Sequence, residues 1–170
     1  MKAISIFITY AFVISCAVAQ SADPFISDLK GFYTVRKGDL TKAVDRMPAE
    51  DYNFRPVPGV RSFAELVGHI VDAQMGFCSS VKGAPRRLNA GAMTTKAELV
   101  AALKASFDEC DSAMEAMSDV KASESVKSGN AAHTRFWSLL YATLHDNEEY
   151  GYLSMYLRLK GLVPPSTDSR

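Results

Sequence analysis

Residues 144–151 read LHDNEEYG and lie inside a longer segment, from about Thr134 to Lys160, whose apolar side chains recur at helical spacing. Gly161 follows this segment as a signal for a helix C-terminus, and a proline pair three residues later prevents the helix from continuing. The stretch therefore predicts a long final helix that carries one histidine and two glutamates near its middle.

Three earlier segments have the same helical period and are separated by helix breakers. They are expected from about Asp23 to Met47 (ended by Pro48), from Ser62 to Gly83-Ala84-Pro85, and from Thr94-Thr95 to about Met117. Ser62 and Glu65 form a capping box at the start of the second segment. No stretch alternates with a period of two over the length of a strand. The sequence therefore predicts an all-α four-helix bundle.

The connection between the second and third helices is long enough to cross the bundle. Residues 83–94 number 12 and span about 40 Å when fully extended, whereas a 20-residue helix is about 30 Å long. The loop therefore permits the third helix to run parallel to the second. Cys78 and Cys110 would then lie at similar heights, where either a disulfide or two separate buried thiols fits.

The N-terminus has the three-part pattern of a secretory signal peptide. Lys2 supplies a positive charge, residues 3–15 are apolar and uncharged, and Ala17-Val18-Ala19 is a typical cleavage site. The apolar run is shorter than the roughly 20 residues that a membrane-spanning helix needs. We expect residues 1–19 to be removed and the mature domain, residues 20–170, to be exported to the periplasm or secreted.

A second interpretation of the same segment remains open. Val13-Ile14-Ser15-Cys16 resembles a bacterial lipobox, in which a lipidated Cys16 would anchor the mature protein to a membrane.

Removing 19 residues from 170 leaves 151, enough for one domain with its own core. Lys and Arg total 19 and Asp and Glu total 19, so no net charge favours nucleic acid or an anionic membrane as a partner.

The final helix contains two pairs of potential metal ligands. Residues four apart on a helix have Cβ atoms about 5–6 Å apart, so His145 and Glu149 can bind one metal ion. His145 and Glu148, three residues apart, meet the same requirement. An apolar arc includes Glu148 and His145 and has Glu149 near its edge; its members are Trp137, Tyr141, Leu144, Glu148, Tyr152, Met155 and Leu159. Periodicity favours Glu148 at least as strongly as Glu149.

His69 is the third potential ligand, although it lies roughly 120° from the centre of the apolar stripe of its own helix. Gly68, Ala73 and Gly76 nearby are small and would leave a cleft beside it. The alternative is a boundary histidine without a ligand role. His133 lies in the predicted loop before the final helix and has no such context.

Taken together, these blocks resemble the DinB-like family of metal-binding four-helix bundles. They are residues 47–56 (MPAEDYNFRP), 60–69 (VRSFAELVGH), 145–151 (HDNEEYG) and 156–165 (YLRLKGLVPP). The resemblance covers almost the whole mature chain and implies an up-down-down-up bundle. It also implies a divalent metal held by three histidines, of which His69 and His145 match, whereas Glu149 replaces the third. Two histidines and a carboxylate suit zinc, iron, nickel or manganese; the alternative is a site that has lost its metal.

Two classes of function follow from this resemblance. The first is a metal-dependent hydrolase or thiol transferase acting on an unknown small molecule, with Glu148 as a general base and Tyr141 and Tyr152 lining the cavity. Export disfavours a cytosolic thiol cofactor and therefore favours the hydrolase. The second is a non-catalytic binding or interaction bundle that forms homodimers and has a degenerate metal site. No substrate-specific motif separates the two.

Overall fold

The computed structural model describes residues 23–128 and 130–168. The signal segment 1–19, with its cleavage site and Cys16, lies outside the described residues. The elements are α1 (Pro24–Arg46), α2 (Phe63–Val81), α3 (Lys96–Glu115), α4 (Asp119–Ala122), β1 (Ser125–Ser128), β2 (Ala131–Thr134) and α5 (Arg135–Leu159), with short 3-10 turns at Ala49–Asp51, Ala90–Ala92 and Pro165–Thr167. The mostly helical prediction is confirmed. Within the described ranges, no helix has the length and apolar character needed to cross a membrane.

The helix boundaries follow the signals in the sequence. At the start of α2, the Ser62 hydroxyl accepts the Glu65 N–H at 3.2 Å, and the Glu65 carboxylate accepts the Ser62 N–H at 2.6 Å. Thr95 and Glu98 form the same reciprocal box before α3. Gly161 has φ +74°, the left-handed conformation that glycine adopts without strain when it ends a helix such as α5.

The all-α expectation is wrong over residues 125–134, where β1 and β2 form an antiparallel hairpin. Each strand has only four residues, too few for a period of two to be recognised in the sequence. His133 therefore lies in β2 and not in a loop. Its imidazole stacks on the Trp137 indole with ring centroids 3.7 Å apart, so it has a packing role.

Contacts between the long helices fix their relative heights. Cys78 on α2 and Cys110 on α3 form a disulfide with Cα atoms 4.9 Å apart. One turn earlier on both helices, the Ser106 hydroxyl donates to the Gln74 side-chain oxygen at 3.3 Å. The Tyr156 hydroxyl, near the end of α5, donates to the Arg61 carbonyl just before α2 at 2.5 Å.

The buried face of α5 differs from the predicted apolar arc. Five large members of that arc are between 44% and 57% exposed: Tyr141, Leu144, Tyr152, Met155 and Leu159. Glu148 is exposed as well, whereas Glu149 is only 5% exposed. The side chains that face the bundle follow a three-four spacing at Leu139, Ala142, Asp146, Glu149, Leu153 and Tyr156. The predicted arc is therefore the outer face of α5. Apolar periodicity did not identify the buried face, because that face includes the carboxyl groups of Asp146 and Glu149.

The crossover between α2 and α3 packs directly on α2. The Asp72 carboxylate accepts the backbone N–H groups of Ala90 and Gly91 at 3.0 and 3.1 Å. A Cβ added to Gly68 would lie 2.6 Å from the Ala90 carbonyl oxygen. Gly68 therefore does not leave an open cleft, as its small size suggested; the missing side chain is replaced by the backbone of the crossover.

Candidate metal centre

The helices α2 and α5 bring three sequence-predicted residues together. His145 and Glu149 are one turn apart on α5, and His69 faces them from the second turn of α2. The Nε2 atoms of His69 and His145 are 3.1 Å apart. Glu149 Oε1 lies 3.4 Å from the His69 Nε2 and 3.5 Å from the His145 Nε2. One ligand atom from each residue thus lies within 4.8 Å of the others, a group that could hold a metal ion.

These separations fit the geometry of a small divalent ion. Ligand atoms about 2.1 Å from a tetrahedral zinc lie about 3.4 Å from one another. The three measured separations, 3.1, 3.4 and 3.5 Å, lie close to that value. Three protein ligands would leave a fourth position for a substrate or solvent molecule, the arrangement typical of catalytic zinc sites.

Two buried polar atoms of the triad lack a partner among the described residues. Glu149 Oε2 and His145 Nδ1 make no hydrogen bond there. A buried carboxylate without compensation is costly, because desolvation removes its hydration and nothing replaces it. A cation beside Glu149 would supply that compensation, so the chemistry of the donors, as well as their geometry, fits a bound metal.

Burial keeps the two imidazoles in the neutral form that binds metals. Desolvation, followed by the charge of His69, lowers the pKa of His145 from 6.5 to about 4. Desolvation and then the charge of Arg61 lower the pKa of His69. Burial raises the pKa of Glu149, an effect that Arg61 opposes. Both histidines therefore present lone pairs at neutral pH, as metal binding requires.

Asp146 is a buried acid that the sequence reasoning missed. It is 1% exposed, and neither carboxyl oxygen has a hydrogen-bond partner among the described residues. Burial, and then the charge of Glu149, raises the pKa of Asp146 well above its usual range. The three-four spacing from Leu139 to Tyr156 was the signal that would have placed it inside the bundle.

Glu148 lies outside the triad, on the exposed side of α5. Its Oε1 accepts the Tyr152 hydroxyl at 3.1 Å. Its negative charge partly opposes the lowering of the pKa of His69 and of His145 by burial, so Glu148 lies within electrostatic reach of the centre. The structure thus assigns Glu149 to the triad and leaves Glu148 beside it.

A cleft of about 610 Å³ is lined in part by Arg61, Leu66, Tyr152 and Tyr156. Leu66 and Tyr152 each lie one helical turn from a triad residue, His69 and Glu149 respectively. Tyr152 therefore lines a cavity as predicted. Tyr141 does not line this one: its ring packs edge-on against Phe77 at 5.0 Å, and Phe77 in turn contacts the His145 ring.

Both the sequence and the fold of this chain are similar to those of known proteins. A family model described as the DinB superfamily matches residues 32–153, which include all three members of the triad. The fold is similar to the crystal structure of a DinB-like protein from Bacillus cereus ATCC 10987, with a TM-score of 0.71 and 16% sequence identity over 82% of this chain and 95% of that one. Among curated proteins, none matches the sequence.

Proposed function

This chain belongs to the DinB superfamily, and on that premise we propose that it binds a divalent metal ion through His69, His145 and Glu149. The observation that carries the proposal is the convergence of one atom from each residue to mutual separations of 3.1–3.5 Å. The ion would be zinc, nickel, iron or manganese, because nitrogen and carboxylate donors suit all four. Glu149 then acts as a working replacement for the third histidine that the family resemblance implies.

We further propose that the centre is a metal-dependent hydrolase of a small molecule. A divalent ion with an open position supplies Lewis-acid chemistry and a nucleophile from water at neutral pH. The residues of the chain position that chemistry. Glu149 and the two histidines hold the ion, and the cleft beside Tyr152 admits the substrate. Glu148 is exposed next to the centre and acts as the general base, with its carboxylate oriented by the Tyr152 hydroxyl.

Metal analysis of matched variants tests the binding proposal. The purified mature protein is stripped with a chelator, supplied with each of the four metals, desalted and analysed by mass spectrometry. We expect one metal ion per chain in the wild type, in Glu148→Gln and in His133→Ala, and loss of the ion in Glu149→Gln and His145→Ala. A wild type without stoichiometric metal would refute the proposal. Loss of metal from Glu148→Gln but not from Glu149→Gln would refute the assignment of the carboxylate.

A second function, that of an interaction module, is favoured by the outer face of α5. Leu144, Met155 and Leu159 are each more than half exposed there, and Phe32 on α1 is 70% exposed. Several large exposed apolar side chains on one face are typical of interfaces. We propose a homodimer formed through this face. In sedimentation experiments Leu144→Glu should produce monomers, whereas Val120→Glu, at a highly exposed site on α4, should not. A monomeric wild type would contradict the proposal.

The finer topology and the location of the protein are also proposals. The equal offset of the pairs Gln74–Ser106 and Cys78–Cys110 supports parallel α2 and α3, and hence an up-down-down-up order with a crossover between them. The disulfide supports export, because disulfides persist in oxidising compartments. Mass spectrometry of the mature N-terminus tests export: a chain beginning at residue 20 agrees with a cleaved signal peptide, and a lipidated Cys16 with an anchored product.

A further inference from the structure

The cleft beside the triad contains an arginine that has no partner. Arg61 lines the cleft and is exposed, and its guanidinium makes no hydrogen bond or ion pair within residues 23–128 and 130–168. Arg55, the preceding arginine in the sequence, does have a partner. Arg55 pairs with Glu65 at 2.7 Å, so the acid at the start of α2 is already occupied. Among the described residues, the Arg61 guanidinium thus faces the cleft without a carboxylate at ion-pair distance, and its charge reaches Glu149 only at longer range.

The backbone of Arg61 is held at the edge of the cleft. Its carbonyl oxygen accepts the Tyr156 hydroxyl at 2.5 Å, which ties the loop before α2 to the far end of α5. The next residue, Ser62, is fixed by the capping box. The side chain therefore projects from a backbone position that is already fixed, so no loop has to be ordered when a ligand binds.

The cleft and the triad share helical faces. Leu66 lines the cleft and lies three residues before His69 on α2, and Tyr152 lines the cleft and lies three residues after Glu149 on α5. Residues three apart on a helix are neighbours on its surface. The charge of Arg61 also acts on all three members of the triad. It contributes to the lowered pKa of both histidines and opposes the rise that burial causes in the pKa of Glu149. A ligand in the cleft would therefore be adjacent to both the guanidinium and the metal centre.

The remaining walls of the cleft are apolar. Val57, Val60 and Leu66 contribute aliphatic side chains, and Tyr152 and Tyr156 contribute aromatic rings. A volume of about 610 Å³ is within the usual size of small-molecule sites. The combination of one cation with apolar walls suits a compact molecule that has an apolar body and an anionic group at one end.

We propose that this cleft recognises a small organic carboxylate and that Arg61 binds its carboxylate group, with the apolar body against Tyr152 and Tyr156. The inference rests on the proposed metal-dependent function, for which it names the substrate class. A planar guanidinium matches a carboxylate in a bidentate pair, a geometry that a lysine would not reproduce. Arg61 is then a specificity-determining residue, and the bond that reacts lies at the other end of the substrate, toward His69 and Glu149.

The test compares a carboxylate with its uncharged analogue. Backbone amide NMR spectra of the zinc-loaded full mature protein are titrated with 3-phenylpropionate and with 3-phenylpropionamide. We expect the acid to shift resonances of cleft residues and to bind at least tenfold more tightly than the amide. Arg61→Gln should weaken the acid about tenfold or more, as expected for the loss of a charge-assisted hydrogen bond, while Arg87→Gln, at an exposed arginine on the crossover outside this cleft, leaves it unchanged. Zinc stoichiometry should be the same in all three proteins.

Equal binding of acid and amide, or undiminished binding of the acid to Arg61→Gln, would overturn the inference. Repeating the titration on metal-free protein separates it from the metal proposal. If the protein takes up no zinc but the carboxylate still binds through Arg61, the metal proposal fails and the cleft assignment stands. If zinc binds stoichiometrically and the carboxylate does not bind at the cleft, the cleft assignment fails alone.

Discussion

Reduction of the disulfide between Cys78 and Cys110 should cost this protein a large part of its stability. The two cysteines are 32 residues apart in the sequence. Cross-linking a loop of that length removes about 12 cal/mol/K of entropy from the unfolded chain, equivalent to about 3.7 kcal/mol at 25 °C. Domains of this size have total free energies of unfolding of about 5–15 kcal/mol. The cross-link is therefore expected to supply a quarter or more of the total.

The measurement is urea unfolding of the oxidised protein and of the same protein held reduced by a phosphine, both with chelator present so that metal binding adds nothing. With a denaturant slope of about 2 kcal/mol/M, the midpoint should fall by about 2 M on reduction. Reduction is a cleaner perturbation than substitution, because both sulfur atoms are buried and truncation would add a cavity. Coincident midpoints would refute the reasoning, as would two free thiols in the denatured, unreduced protein.

Two further predictions concern α2 and the triad. Gly68→Ala should lower the free energy of unfolding by about 1–3 kcal/mol, because the new Cβ would collide with the Ala90 carbonyl. The control is Gly76→Ala, on the same helix with open space around it, which should be neutral or stabilising by up to about 1 kcal/mol. Equal effects of the two substitutions in chemical denaturation would contradict the packing of Gly68 against the crossover. For His145, the folded-state pKa of about 4 lies below the ordinary 6.5, so the unfolded chain takes up its proton first as the pH falls. Between pH 7 and pH 4, the free energy of unfolding of the metal-free wild type should therefore fall by about 3 kcal/mol more than that of His145→Gln. Comparing the two proteins removes the contribution of the acids that both contain. A difference in unfolding free energy that does not change with pH would contradict the prediction.

Local signals in the sequence predict the helices well because they act over short distances. The capping boxes and the glycine at the end of α5 depend on residues three or four positions apart. The length of the crossover permitted, without requiring, an arrangement with Cys78 and Cys110 at similar heights, because chain reach can be counted from the sequence. The hairpin over residues 125–134 was missed because its strands are too short to show a period.

The orientation of α5 could not be predicted from hydrophobicity. Large apolar side chains such as Leu144 and Met155 lie outside, and Asp146 and Glu149 lie inside, so the apolar arc did not distinguish the buried Glu149 from the exposed Glu148. The choice between Glu148 and Glu149 depended on which helices pack against α5, which is a tertiary property. Family resemblance indicated Glu149, whose carboxylate lies beside both imidazoles in the structure. Arg61 gave no signal in the sequence, because its lack of a partner depends on Arg55 occupying Glu65.

The attachment of the crossover to Asp72 has a consequence for how this scaffold can be engineered. Asp72 lies three residues after His69, on the next turn of the same face of α2, and holds the N–H groups of Ala90 and Gly91. Strain introduced into that part of the connection would be transmitted directly to the turn that positions the histidine. Redesigning residues 90–92 thus offers a way to shift His69 relative to His145 and Glu149 from a distance, and so to tune the proposed metal site with every donor atom chemically unchanged.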